Sequence, residues 1–330
     1  MPFAIRNAEK YACIALENAG TVNGLADPID LGDGLWALFA APFPLDETWR
    51  KWLGFLRSQD FERSNLFLVA VAPSRYPEVL DGENEALSQK VLALFYGLLL
   101  QDVPFFESGL SLSGANVEGR IDIRRVSKLE PFYRPLGVRW ARIDEVWLRN
   151  ARAAATGIQS IHAVNGQFER LRHGLHAWLR AWMEYYGDEK LHQGVRAVEA
   201  VVKTEQGRGQ RLFVHRGQLF AGNNSNAQAL LEELYNLRNA VEHMNPMQPL
   251  LAKYAPDVDA IASLRAYQAF ELASEVYRRI LMDPSLQQTF ASDTSTDAFW
   301  QQLWADQVKA WGPAVDIAAK TTPRFNRGLL

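Results

Sequence analysis

The chain has 330 residues, of which 48% are hydrophobic and 22% charged, and its net charge is −3. That length favours two domains over one core, and the composition is too apolar for disorder. The slight acidity excludes a protein that coats nucleic acid by charge alone, but not an enzyme with a local basic cleft. No window approaches the roughly 18 uninterrupted apolar residues of a membrane span. Met1-Pro2-Phe3-Ala4-Ile5-Arg6-Asn7 lacks the basic and apolar regions of a secretion signal. Cys13 is the single cysteine, so an internal disulfide and thiolate-rich zinc or iron–sulfur sites are excluded. The cytoplasm is the expected location.

Residues 1–150 read as a mixed α/β domain of unassigned role. Leu35 to Ala41 and Leu66 to Ala72 are apolar runs of strand length, stopped by Pro42 and Pro73. Between them Asp46 is the expected N-cap of a helix running through Arg57, with Leu45, Trp49, Trp52 and Leu56 at helical spacing. Glu85 to Leu100 is predicted helical, with Leu87, Val91, Phe95 and Leu98 on one stripe. Gly109 to Val126 alternates and carries internal glycines, which suits a hairpin. The aromatics of this half recur at helical spacing and are read as core.

Beyond Asn150 the pattern becomes almost wholly helical. Apolar stripes run through Ile158–Tyr186, Leu191–Val202, Ala227–His243 and Asp257–Met282, interrupted by Gly207-Arg208-Gly209 and Gly222-Asn223-Asn224-Ser225. Asp297 to Trp311 places Trp300, Trp304 and Trp311 on one face as a terminal brace, and Thr321–Leu330 is expected to fray.

The helix over 227–243 carries the chemistry. Ser225-Asn226-Ala227-Gln228 has capping-box spacing. Leu230, Leu234, Leu237 and Val241 form a core stripe, while Glu232, Asn236, Asn239 and His243 form a polar one. Pro246 stops the helix near His243. Arg238 offers a fixed fork of donors for phosphate, and His243 is the side chain type that titrates near neutrality. The two lie about 140° apart on an ideal helix. They converge on one phosphate only if the last turn loosens or a second copy faces the first.

Arg238-Asn239-x3-His243 resembles the Arg-polar-x3-His signature of the HEPN superfamily, in its Apea-like branch. Arg196-Ala197-Val198-Glu199-Ala200-Val201-Val202 is similar to that branch's glutamate-bearing helix, and Arg211-Leu212-Phe213-Val214-His215-Arg216 to the basic segment after it. Leu234-Tyr235-Asn236-Leu237-Arg238 leads into the motif in the same way. The likeness covers roughly residues 155–285 and implies a domain over 151–285, a helical bundle that dimerises around a composite RNA cleft, with residues 286–330 as a C-terminal helix and tail. More loosely, the first 150 residues resemble the region preceding such domains in bacterial abortive-infection and phage-defence proteins.

The resemblance implies a metal-independent endoribonuclease without a cofactor. His243 would shuttle protons during 2′-hydroxyl attack, Arg238 would steady the phosphorane, and Asn239 would orient His243 or touch phosphate. Glu199 and Glu242 would support Arg238, while Arg208, Arg211 and Arg216 would contact RNA. A protein trigger or antitoxin is a further expected partner. Two other classes stay open. One is a non-catalytic RNA-binding or dimerisation scaffold; the other is an interaction protein with a large apolar surface. Arg238 and Glu242 also form an ordinary i, i+4 pair, and basic runs are usually solvated surface. His173 and His176, with Glu169 before them, have a metal-compatible spacing but are read as packing. No phosphate-loop pattern or nucleophile elbow is present.

Overall fold

The computed structural model describes residues 3–107 and 109–330. The fold is mixed α+β and mostly helical. It divides into two units: one comprises the chain up to Pro131 with Trp140–Gln159, the other Phe132–Arg139 with Ser160–Leu330.

Among the described residues, the first unit holds a six-stranded antiparallel sheet in the order β2-β3-β4-β1-β5-β6. Its strands are β1 (Glu9–Glu17), β2 (Ile29–Gly32), β3 (Leu35–Leu38), β4 (Ser64–Pro73), β5 (Gly109–Val117) and β6 (Arg120–Lys128). The run from Leu66 to Ala72 lies within β4, the run from Leu35 is a strand only as far as Leu38, short of Pro42, and the glycine-bearing stretch is the β5–β6 hairpin. Central β1, which no alternation announces, sets Tyr11 opposite both Val71 and Gly114. Tyr11, Cys13 and Ala15 join Phe43, Leu53 and Phe61 in one core. Ala12, Ile14 and Leu16 are buried too. A strand covered on both faces shows no polar alternation, and Lys10 is the one charged residue inside the buried run of β1.

Helices α1 (Glu47–Leu53) and α2 (Phe55–Arg63) correct the single helix expected through Arg57. Asp46 caps α1 by accepting the Trp49 N–H at 2.8 Å. Gly54, at φ +79°, then turns the chain. The break carries Leu56 out of the expected stripe and leaves it 71% exposed. Helix α3 (Gly82–Leu99) packs on β1 and β4 with Leu87, Val91, Phe95 and Leu98 buried. Helix α4 (Glu145–Ala163) approaches it closely at Gly97, where a Cβ would lie 2.1 Å from the Ala151 carbonyl oxygen.

In the second unit, α5 (Glu169–Met183), α6 (Gly187–Val202), α7 (Gly209–Ala221) and α8 (Ser225–Glu242) are followed by the short α9 (Gln248–Leu251) and the long α10 (Val258–Met282). Helices α11 (Pro284–Thr289), α12 (Asp293–Trp300), α13 (Trp304–Trp311) and α14 (Ile317–Thr321) complete it. The stripe over 158–186 belongs to two helices, because Gly166 and Phe168 take positive φ between α4 and α5. Helix α6 is the hub, packed against α5, α10, α8 and α7. Trp178 and Trp182 of α5 are fully buried; the indole N–H of Trp178 donates to Ser274 Oγ at 2.9 Å.

The expected terminal brace is two helices instead of one. Its three tryptophans nevertheless all meet α7: Trp300 and Trp311 lie 6.1 and 4.4 Å from the Phe220 ring, and Trp304 lies 5.8 Å from His215. The tail over 321–330 is bonded, not frayed. Thr321 is buried, Arg139 N–H donates to Arg324 O at 3.0 Å, and Asn326 N–H donates to Gly137 O at 2.8 Å. Among the described residues no helix is long and apolar enough to cross a membrane.

Candidate active site at the α6–α8 interface

Helix α8 starts one residue earlier than its capping-box spacing suggests. Asn224, in extended conformation, is the N-cap and accepts the Ala227 N–H at 2.9 Å, while Ser225 is already helical. Leu230, Leu234 and Leu237 are buried and Val241 is half-buried, so the core stripe is as expected. At the other end His243 is the C-cap, Met244 turns at φ +55°, and Asn245 N–H closes on Ala240 O at 2.8 Å. That closure satisfies a carbonyl the helix would otherwise leave open, ahead of Pro246.

Arg238 leaves α8 sideways and meets α6. Its Nη2 donates to Glu199 Oε2 at 2.9 Å, with the two side chains only 15% and 12% exposed. Nη1 donates to Asn239 Oδ1 at 3.0 Å and pairs with Glu242, whose carboxylate is 43% exposed. The guanidinium also lies 5.8 Å from the Tyr235 ring. Its Nε is buried without a partner. Burial raises the Glu199 pKa from its ordinary value, against the opposing pull of Arg238. Two carboxylates thus neutralise one guanidinium whose planar fork stays suited to a phosphate.

The structure therefore brings Arg238, Asn239, Glu199 and Glu242 together. Asn239 orients Arg238, not His243. The imidazole of His243 is exposed and makes no side-chain hydrogen bond among the described residues. On an ideal helix its position lies about 140° round the axis from Arg238.

The three candidate RNA-contacting arginines separate. Arg211 is exposed and lines an open groove of about 460 Å³ between α7 and α8, with Gln210, Val214, His215, Gln218, Gln228 and Glu232. The polar stripe of α8 borders this groove, and Gln210 donates to Asn236 Oδ1 at 3.1 Å. Arg208 is exposed at the N-cap of α7. Arg216 instead turns inward. Its Nη1 donates to the carbonyls of Val202 and Lys203, each at 2.7 Å, and its guanidinium lies 5.3 Å from the Trp300 ring. A cation on the last carbonyls of α6 has a structural role that a basic run cannot reveal.

One residue of this interface escapes a reading centred on α8. His192 stands on α6, with its side chain 13% exposed and Nδ1 3.8 Å from Glu189 Oε2. The spacing His192-x3-Arg196-x2-Glu199 was the available signal, since it aligns all three on one helical face. His173 and His176 are exposed on α5. Among the described residues no group of three or more His, Cys, Asp or Glu could hold a metal ion. No protein-family model, curated protein or solved structure matches this chain.

Proposed function

We propose that the helical unit is a HEPN-type domain of the Apea-like kind, acting as a metal-independent endoribonuclease in antiviral defence or toxin biology. The observation that carries this reading is the Glu199–Arg238 pair, which holds a guanidinium in place one turn before an exposed His243. Such an arginine is preorganised for the extra negative charge of a pentavalent phosphorane, and fixed donors stabilise that charge without reorganisation. His243 exchanges a proton with the reacting oxygens. The 2′-oxygen attacks phosphorus, the bond to the 5′-oxygen breaks, and a 2′,3′-cyclic phosphate and a 5′-hydroxyl result.

The 140° between Arg238 and His243 favours a homodimer in which one copy's arginine and the other's histidine meet on one phosphate. Arg208 and Arg211 would hold the flanking strand. A second reading, a non-catalytic RNA-binding or dimerisation scaffold, draws on the neutralisation of Arg238 by Glu199 and Glu242.

The deciding experiment incubates mixed cellular RNA in EDTA with wild-type protein and with His243→Ala. Cleavage by the wild type alone, leaving cyclic-phosphate or 3′-phosphate ends, is expected. Identical products from both proteins would overturn the assignment of His243. RNA bound with steep salt dependence but never cut would favour the scaffold.

A further inference from the structure

Two buried polar atoms at the α6–α8 interface lack partners: Nε of Arg238 and Nε2 of His192. Leaving a buried polar group unsatisfied is costly, and such atoms mark places that a ligand or a water completes. Around His192 stand Glu189 and Arg196 on its own helix, and Arg238 and Glu242 on α8. It shares a helical face with Glu199, and Glu199 is already in contact with Arg238.

We propose that His192 is the second imidazole of the site, with Nε2 contacting the phosphate-bearing substrate and accepting the proton of the attacking 2′-hydroxyl. This rests on the ribonuclease reading. Glu189 faces Nδ1, which favours the tautomer with its proton there and leaves the lone pair on Nε2. Burial, then the charges of Arg238 and Arg196, hold His192 below the ordinary histidine value, against Glu189 and Glu242. It is therefore the unprotonated partner near neutral pH. The phosphate takes the place of Glu242, the more exposed of the two carboxylates on Arg238.

In the reaction the O2′–P bond forms as the 2′-proton passes to Nε2 of His192. The P–O5′ bond breaks as O5′ takes a proton from His243. Proton exchange with water restores both imidazoles. A base and an acid on separate elements allow both transfers in one displacement, which a single histidine performs only by changing role.

The test combines an anion titration with kinetics on the full chain. Inorganic phosphate is added to protein carrying ¹⁵N-labelled histidine. The ring nitrogens of His192 are expected to shift in the wild type and to stay still in Arg238→Gln, with circular dichroism confirming that the variant folds. In the RNA assay His192→Asn and His192→Ala are expected to lose about 10²- to 10⁴-fold in rate. They should also lose the acidic limb of the pH–rate profile, and added imidazole should partly restore His192→Ala. An unchanged acidic limb, or His192 nitrogens that ignore phosphate while RNA is cut, would overturn the proposal and leave the ribonuclease standing. Wild-type protein that never cuts RNA overturns the ribonuclease reading and the proton transfer with it. The phosphate titration then still decides whether His192 belongs to an anion site.

Discussion

The two units bury lysine in opposite ways. In the sheet unit Lys10 is buried in β1, with Nζ 2.7 Å from Asp81 and 2.9 Å from Glu83. Desolvation pulls its pKa down, but hydrogen bonds to the two carboxylates outweigh it and hold the pKa above the usual lysine value. In the helical unit Lys190 of α6 is 2% exposed. Its Nζ donates to the carbonyls of Tyr133, at 2.8 Å, and Ala181, beside the Phe270 ring. Burial lowers its pKa to about 7, against a weaker opposing pull from Glu184. Burial pulls both values down; whether charged partners outweigh it separates the two outcomes. Arg238 follows the Lys10 pattern, in that carboxylates stabilise a cation kept out of water.

The largest test of this contrast is stability against pH. Between about 7 and 10.5 the unfolded chain binds a proton at Lys190 that the folded chain does not. The contribution of Lys190 to stability therefore rises with pH across that window, by up to about 1.4 kcal/mol per pH unit. Lys10 behaves oppositely. Its raised pKa gives a contribution that is complete below 10.5 and is lost as pH climbs through the folded value. Urea unfolding of wild type, Lys190→Met and Lys10→Met at several pH values should show the window slope reduced by the first substitution and untouched by the second. A slope that survives Lys190→Met would break the contrast.

A middle-sized effect is expected at the carboxylate-paired arginine. Glu199→Ala strands a largely buried guanidinium and should cost about 2–4 kcal/mol. Glu242→Gln removes a more exposed partner and should cost less than about 1 kcal/mol. Double-mutant cycles with Arg238→Gln separate pair energies from truncation effects. Equal coupling for both carboxylates would show that exposure does not rank them.

The smallest effect concerns the start of α8. Asn224→Ala should cost about 1 kcal/mol, and Ser225→Ala no more than a few tenths. The reverse order in thermal unfolding would return the cap to Ser225.

Legibility in the sequence followed the range of the interaction. The Asp46 cap, the α3 stripe from Leu87 to Leu98 and the core stripe of α8 depend on residues three or four apart, and all could be read. β1 could not, because its partners β4 and β5 lie far along the chain and cover it without leaving a polar face. The single helices expected over 158–186 and 297–311 failed for a related reason. An apolar stripe continues across a break when both halves face the same core. In the candidate site Arg238, Asn239 and Glu242 stand close in sequence and were legible from it. His192 and the inward turn of Arg216 were not, since each depends on which helix lies opposite.

By itself the sequence determined the mixed first half and helical second half, the Asp46 cap, the apolar stripes of α3 and α8, and the separation of Arg238 from His243 on α8. These follow from propensity, periodicity and a rise of 1.5 Å per residue. The tertiary structure alone decided that Lys10 keeps its proton while the hold of Lys190 on its own weakens. It also decided that His192 is left without a partner for Nε2, and it made the contact between Arg238 and Glu199 that the resemblance had implied. Burial and charge act through space over a few ångströms, and only the packing of α6 against α8 brings residues nearly forty positions apart within that reach.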